Sequence, residues 1–313
     1  MTMISPLKFS NPDITADGGR RAEVFPSSLR TLWFNTGTLC NITCEGCYIE
    51  SSPTNDLLSY LARADAAAFL REAAALYPGL EEIGFTGGEP FMNRDLVGML
   101  DDSLAAGYQV LVLTNAMRPM RRFDVDLIDL QARFPGLLTL RVSLDHYEAA
   151  KHEAVRGPGS WQPAIEGLRW LAAGGFGIAV AGRMRWNETE AASRAGYARL
   201  FRDLGVAVDA EDPASLVLFP EMDPGRDVPE ITDQCWSILN KRPDDVMCAT
   251  SRMVVHRKGA ARPRVVACTL LPYDPRFDLG ETLAGAARPV KLNHRLCAEF
   301  CVLGGATCGP RHG

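Results

Sequence analysis

The chain has 313 residues, of which 47% are hydrophobic and 23% charged, and a formal net charge of −5. These proportions allow a sizeable buried core. Lys and Arg are scattered without a basic excess, so nucleic acid or another polyanion is disfavoured as a partner. No stretch approaches the roughly 18 uninterrupted apolar residues of a membrane span, and the opening MTMISPLKFSNPDITADGGRR lacks the apolar run of an export signal. A soluble cytoplasmic protein with no membrane partner is expected.

In chain order, about 30 residues of N-terminal extension precede the first apolar β-rich run. Strands are expected at 32–35, 82–86, 109–114, 138–144, 177–181 and 215–219, and helices at 61–75, 94–106, 125–134, 163–173 and 188–204. The helix from Leu61 reads LARADAAAFLREAAALY, strong in helix propensity. Alternation of this kind predicts an α/β fold on a parallel sheet, either doubly wound or an incomplete barrel. In both, chemistry sits just past the C-terminal ends of the strands. From about Pro220 the pattern changes: 221–236 is rich in Pro and acidic residues, and MVVHRKGAARPRVVAC predicts a β-hairpin. The cysteine-dense remainder needs more than a hydrophobic core to hold it, and a metal site would serve. The expected division is 1–30 extension, 31–220 α/β body and 221–313 cysteine-rich region.

Nine cysteines, an odd number without an export signal, fit thiols and metal ligands better than disulfides. None lies between Cys47 and Cys235, so the chain carries an N-terminal trio and a C-terminal six. Cys40, Cys44 and Cys47 follow the first strand, spaced so that one tight loop can direct three thiolates to one centre. Three ligands leave one iron of a four-iron cluster open, whereas a structural zinc closes with four. Read as residues alone, the trio also fits a zinc knuckle completed by a distant Cys or His, or unligated buried thiols.

Polar residues stop the next strands. Thr86-Gly87-Gly88-Glu89-Pro90 follows the second, Thr114-Asn115 ends the third, and Ser143-Leu144-Asp145 ends the fourth. Glycines permit close backbone approach to a ligand, and a carboxylate beside them can accept from an ammonium. Each pair is also a good turn or helix cap. Past the fifth strand lie Arg183, Arg185 and Asn187; Arg183 could clamp a carboxylate with two parallel hydrogen bonds, or be ordinary surface charge.

The C-x3-C-x2-C trio after strand one, with Gly-Gly-Glu-Pro after strand two, resembles the radical S-adenosylmethionine (radical SAM) enzymes. The resemblance implies a partial (β/α)6 TIM-like barrel and a [4Fe-4S] cluster on Cys40, Cys44 and Cys47. Its open iron would be chelated by the methionine moiety of S-adenosylmethionine, which one electron cleaves to a 5′-deoxyadenosyl radical. It further implies cofactor contacts at Tyr48, Gly87, Gly88, Glu89, Pro90, Thr114, Asn115, Ser143, Asp145 and Arg183, and an electron donor such as flavodoxin or ferredoxin. The family often has an aromatic residue before the third cysteine, where this chain has Gly46, with Tyr48 one residue past Cys47.

Cys248, Cys268, Cys297, Cys301 and Cys308 resemble the auxiliary-cluster region of SPASM or twitch extensions, without the full seven-cysteine pattern. A second [4Fe-4S] cluster is implied; a structural zinc is the alternative. Five cysteines exceed the four a cluster needs. Cys268, Cys297, Cys301 and Cys308 can be ligands with Cys248 as the hydrogen donor that some radical epimerases keep, or Cys248 is itself a ligand and a later cysteine spare.

The expected activity is hydrogen abstraction followed by dehydrogenation or epimerisation of a small polar substrate such as a sugar or aminocyclitol. A maturase of ribosomally made peptides is the alternative, with the residues before strand one expected to be too few for a leader-binding domain. A zinc-binding or redox-sensing protein is the remote one, leaving the polar strand ends without a role.

Overall fold

The computed structural model describes residues 7–223 and 225–305. Six strands, β1 (Thr31–Asn35), β2 (Glu82–Thr86), β3 (Gln109–Thr114), β4 (Leu138–Ser143), β5 (Gly177–Met184) and β6 (Leu216–Pro220), pair in sequence order and all parallel. Six helices of eight or more residues lie between them: α1 (Arg63–Leu76), α2 (Leu96–Ala105), α3 (Asp124–Arg133), α4 (Ala149–Arg156), α5 (Trp161–Ala173) and α6 (Glu190–Leu204). The result is the α/β partial TIM-like barrel that the resemblance implies, one of the two arrangements the residue pattern left open.

Local chemistry explains the elements. Every residue of β1 is buried, as a strand covered on both faces must be. Helix α1 buries Ala66, Phe69, Leu70 and Ala73, one helical stripe, against the sheet. Thr189 caps α6 by accepting from the Ala192 amide at 3.2 Å, and Gly205 ends it in the left-handed region at φ +69. Helix α4 was not expected: AAKHEAVR buries only His152 and Val155, too few apolar positions to announce an amphipathic helix.

The C-terminal hairpin forms, and it does more than decorate. Its strands β7 (Ser251–Val255) and β8 (Arg264–Val266) are antiparallel, and β9 (Asp278–Gly280) follows on β8. Strand β7 pairs in parallel with β1, Thr31 opposite Ser251, so one sheet runs β9-β8-β7-β1-β2-β3-β4-β5-β6. The cysteine-rich region therefore covers what would be an open edge of the barrel.

The N-terminal segment packs on this region. Glu23–Val24 pairs with Val290–Lys291, and buried Arg21 meets buried Glu230 at 2.5 Å. Glu230 also accepts from the Phe9 and Ala16 amides, and Arg21 donates to the carbonyls of Asn11, Ile14 and Leu292. A buried pair needs such satisfaction to offset desolvation. Among the described residues no helix is long and apolar enough to cross a membrane.

Candidate active site

One cavity of about 1120 Å³, counting its mouth, opens at the C-terminal ends of the strands. Cys40, Cys44 and Cys47 all line it. Their loop is held from several sides: Cys40 N–H donates to Ser52 O at 3.0 Å, Glu45 N–H to Val155 O at 2.8 Å, and Glu50 N–H to Cys47 O at 3.1 Å. Burial pushes the Cys40 thiol up to about 12 and raises Cys44, with Arg156 acting against the latter. Such thiols ionise when a cation binds them. Among the described residues no three His, Cys, Asp or Glu side chains gather around one point as for a single ion; what the trio shares is a wall.

Gly87 and Gly88 line the same cavity, and their lack of side chains has a visible cause. A Cβ on Gly87, at φ +147, would sit 2.5 Å from Gly37 O, and one on Gly88 would sit 2.2 Å from Leu39 O. The glycine loop thus docks backbone to backbone on the segment leading into Cys40, with Gly88 N–H donating to Gly37 O at 2.8 Å and Glu89 N–H to Leu39 O at 3.1 Å.

Glu89 and Pro90 stand behind this wall. Glu89 is 2% exposed; Oε1 accepts from Thr114 Oγ1 at 2.9 Å and Phe91 N–H at 3.2 Å, and Oε2 from Asn115 N–H at 2.8 Å. Burial raises its pKa to about 7, although these bonds pull the other way. Its role in this geometry is to hold Thr114 and Asn115, which do line the cavity. Asn115 Nδ2 in turn donates to Asn41 Oδ1 at 2.9 Å, tying the third strand end to the cysteine loop.

Ser143 and Asp145 line the cavity as well. Asp145 accepts from Arg156 Nε at 2.5 Å, and Arg156, also on the wall, is the residue that sequence reasoning missed. Burial opposes its charge, but Asp145 and the Cys44 and Cys40 thiols raise its pKa. The available signal was an Arg followed by Gly157, which ends α4 at φ +94.

Arg183 and Tyr48 line the cavity, but the Arg183 fork is already engaged. Nη1 donates to Glu45 O at 3.0 Å and Nη2 to Glu221 Oε2 at 2.8 Å, while buried Nε has no partner. One arm of the fork is thus paired with the Glu221 carboxylate. The guanidinium lies 5.8 Å from the Tyr48 ring centroid and 3.1 Å from where a Gly46 Cβ would stand. Gly46, at φ +66, leaves the space that the Arg occupies.

Cys248 is elsewhere. It lines a second cavity of about 400 Å³ together with Cys268, Cys297 and Cys301. Burial pushes the Cys248 thiol up to about 11, and burial with Cys248 nearby pushes Cys297 to about 12. Leu270 separates the cavities and lines both. Cys308 lies outside the described residues, and Cys235 is on neither wall, accepting instead from Thr232 N–H at 3.3 Å.

Residues 34–184 match the radical SAM superfamily. The GTP 3′,8-cyclase of Geobacter sulfurreducens is 32% identical over 142 residues, 44% of this chain and 40% of the cyclase. The antilisterial bacteriocin subtilosin biosynthesis protein AlbA of Bacillus subtilis is 28% identical over 174 residues, 55% of this chain and 36% of AlbA. The matched region is thus well under half the length of these relatives. Streptococcus suis SuiB bound to S-adenosylmethionine aligns with a TM-score of 0.59 at 12% identity, over 81% of this chain and 63% of SuiB. For anSMEcpe with bound AdoMet the TM-score is 0.58 at 12% identity, over 82% of this chain and 79% of that one. At such identity these structures show the fold.

The family binds a [4Fe-4S] cluster and S-adenosylmethionine, and the donor set here fits them. Three thiols share a wall with glycine backbone and with Arg156, whose charge can offset that of thiolate sulfur. Motif, barrel and domain match together identify residues 34–184 as a radical S-adenosylmethionine domain.

Proposed function

We propose that the chain is a radical SAM enzyme that abstracts a hydrogen atom from a peptide substrate, with Cys40, Cys44 and Cys47 as ligands of the S-adenosylmethionine-binding cluster. Bound there, the cluster and S-adenosylmethionine supply a 5′-deoxyadenosyl radical for hydrogen abstraction. The chain's own residues contribute position and exclusion of water. Gly87 and Gly88 offer backbone at close range, Asn115, Ser143 and Asp145 offer hydrogen-bonding groups at the strand ends, and Phe219 and Leu270 close the wall with apolar surface.

The observation that carries the peptide reading is the charge state of the wall. Among the described residues its cations are Arg156 and Arg183, paired with Asp145 and Glu221 respectively. A nucleoside triphosphate needs several uncommitted cationic donors. Paired charges and apolar surface suit an uncharged segment instead. AlbA is a bacteriocin biosynthesis protein, and anSMEcpe has been seen with AdoMet and a Cp18Cys peptide together; both support the reading. A small polar metabolite such as a sugar or aminocyclitol finds less support, because Cys248, its candidate hydrogen donor, is on the second cavity.

We further propose that Cys248, Cys268, Cys297 and Cys301 hold an auxiliary [4Fe-4S] cluster. Four thiols on one cavity satisfy a four-cysteine site without Cys308.

The test uses reconstituted enzyme, S-adenosylmethionine, a reductant and uniformly deuterated substrate pools. Peptides from a deuterated proteome digest are expected to give 5′-deoxyadenosine one mass unit heavier, while deuterated sugars and GTP are not. Deuterium transfer from sugars or GTP, with none from peptides, would overturn the peptide reading.

A further inference from the structure

Ser51 lies four residues past Cys47, is 4% exposed and lines the cavity, yet its Oγ has no hydrogen-bond partner among the described residues. The residues on either side of it are held by hydrogen bonds. Tyr273 Oη donates to Ile49 O at 2.9 Å, Asn55 Nδ2 donates to Glu50 O at 2.8 Å, and Glu50 holds the left-handed conformation at φ +51. The adjacent Ser52 hydroxyl, by contrast, is fully used, accepting from the Asn55 amide at 3.0 Å and the Thr54 amide at 3.3 Å.

A loop pinned at the residues flanking Ser51 fixes where that side chain points. Leu39 pairs with Ser52 in a parallel bridge, and Cys40 N–H donates to Ser52 O. Because side chains alternate along paired extended segments, Cys40 and Ser51, each next to that pair, emerge on one side. Both line the cavity. A buried hydroxyl without a partner costs about 1–3 kcal/mol, a cost relieved when an acceptor fills the space.

Resting on the cluster reading above, we propose that Ser51 is a positioning residue for the cluster held by Cys40, Cys44 and Cys47, its hydroxyl donating a hydrogen bond to cluster or cysteine sulfur. Hydrogen bonds to sulfur stabilise the more negative, reduced state and are one of the determinants of cluster potential. Ser51 thus helps decide how readily the cluster accepts an electron.

The experiment is a redox titration of the reduced-cluster electron paramagnetic resonance signal, on full-length reconstituted protein without S-adenosylmethionine. Cys248→Ala, Cys268→Ala and Cys297→Ala are combined so that one cluster reports. Ser51→Ala is expected to keep the iron content and lower the one-electron reduction equilibrium about five-fold, with Ser51→Thr close to Ser51. S-adenosylmethionine affinity by calorimetry is expected to be unchanged, and metal-free thermal stability is expected to hold or rise because Ser51→Ala removes an unpartnered buried hydroxyl; a merely structural role would lower it. If Ser51→Ala loses the cluster, the isosteric pair Ser51→Thr and Ser51→Val carries the same comparison. An unchanged potential with cluster present overturns the Ser51 proposal alone, as does weaker cofactor binding at constant potential. No cluster with Ser51 in place overturns the cluster reading and the proposal together.

Discussion

The Phe300 ring stacks on Phe219 with centroids 5.4 Å apart and planes at 29°, while Tyr48 meets its edge at 6.2 Å. The three come from the C-terminal segment, the end of β6 and the cysteine loop, so this cluster joins the far side of the barrel to the first cavity's thiols. The π-helical turn Cys297–Val302, with Leu303 N–H donating to Ala298 O at 2.8 Å, places Phe300 there while Cys297 and Cys301 line the second cavity. One short element thus shapes both sites.

Phe300 is fully buried, so Phe300→Ala leaves a cavity between Tyr48 and Phe219. The expected loss of stability is about 3–5 kcal/mol, with a smaller loss for Phe300→Leu. Urea unfolding measures it. Equal and negligible losses for both variants would contradict the packing described.

Replacing Cys248, Cys268, Cys297 or Cys301 singly by Ala is expected to remove one cluster's worth of iron and sulfide after anaerobic reconstitution. Cys235→Ala and Cys308→Ala are expected to retain both clusters. Iron and sulfide counting decides it; two intact clusters in Cys248→Ala, with loss in Cys308→Ala, would return Cys248 to the hydrogen-donor role.

Glu89→Ala removes the acceptor for Thr114 Oγ1 and for the Phe91 and Asn115 amides. Leaving these donors unsatisfied is expected to cost about 2–4 kcal/mol. It should also weaken S-adenosylmethionine binding by loosening Asn115. Calorimetric unfolding and titration check the two effects, and undiminished binding would mean that Asn115 does not depend on Glu89.

Asp278 anchors β9 to the hairpin. Burial opposes its ionisation, but Arg264, the Gly280 amide and Arg257 outweigh burial and hold its pKa at about 2. A carboxylate depressed in the folded state stabilises fully above its ordinary pKa near 3.8 and loses that contribution as pH falls through about 2. The wild-type minus Asp278→Asn stability difference is therefore expected to be flat above pH 5 and to shrink below pH 4. A difference that grows on acidification would have the wrong sign.

Much of this fold is readable because each barrel strand is a short apolar run stopped by polar or glycine residues; 82–86 and 109–114 coincide with β2 and β3. What local pattern could not carry is contact across the chain. Pairing of β7 with β1 joins residues more than 200 positions apart, and no periodicity encodes it. Arg156 escaped notice because α4 offers few apolar positions. The pairing of Arg183 with Glu221 is likewise invisible in local pattern, because the two lie 38 residues apart. The partners of Glu89, Thr114 and the Phe91 and Asn115 amides, depend on how the strand ends come together and not on its spacing in the motif.

The most direct measurement is 5′-deoxyadenosine formed from S-adenosylmethionine by the anaerobically reconstituted, reduced protein, compared with Cys44→Ala prepared identically. The account requires reductive cleavage in the wild type and loss of it in the variant. A wild-type protein that carries zinc without iron or sulfide, or that forms no 5′-deoxyadenosine where a control radical SAM enzyme does, would contradict it.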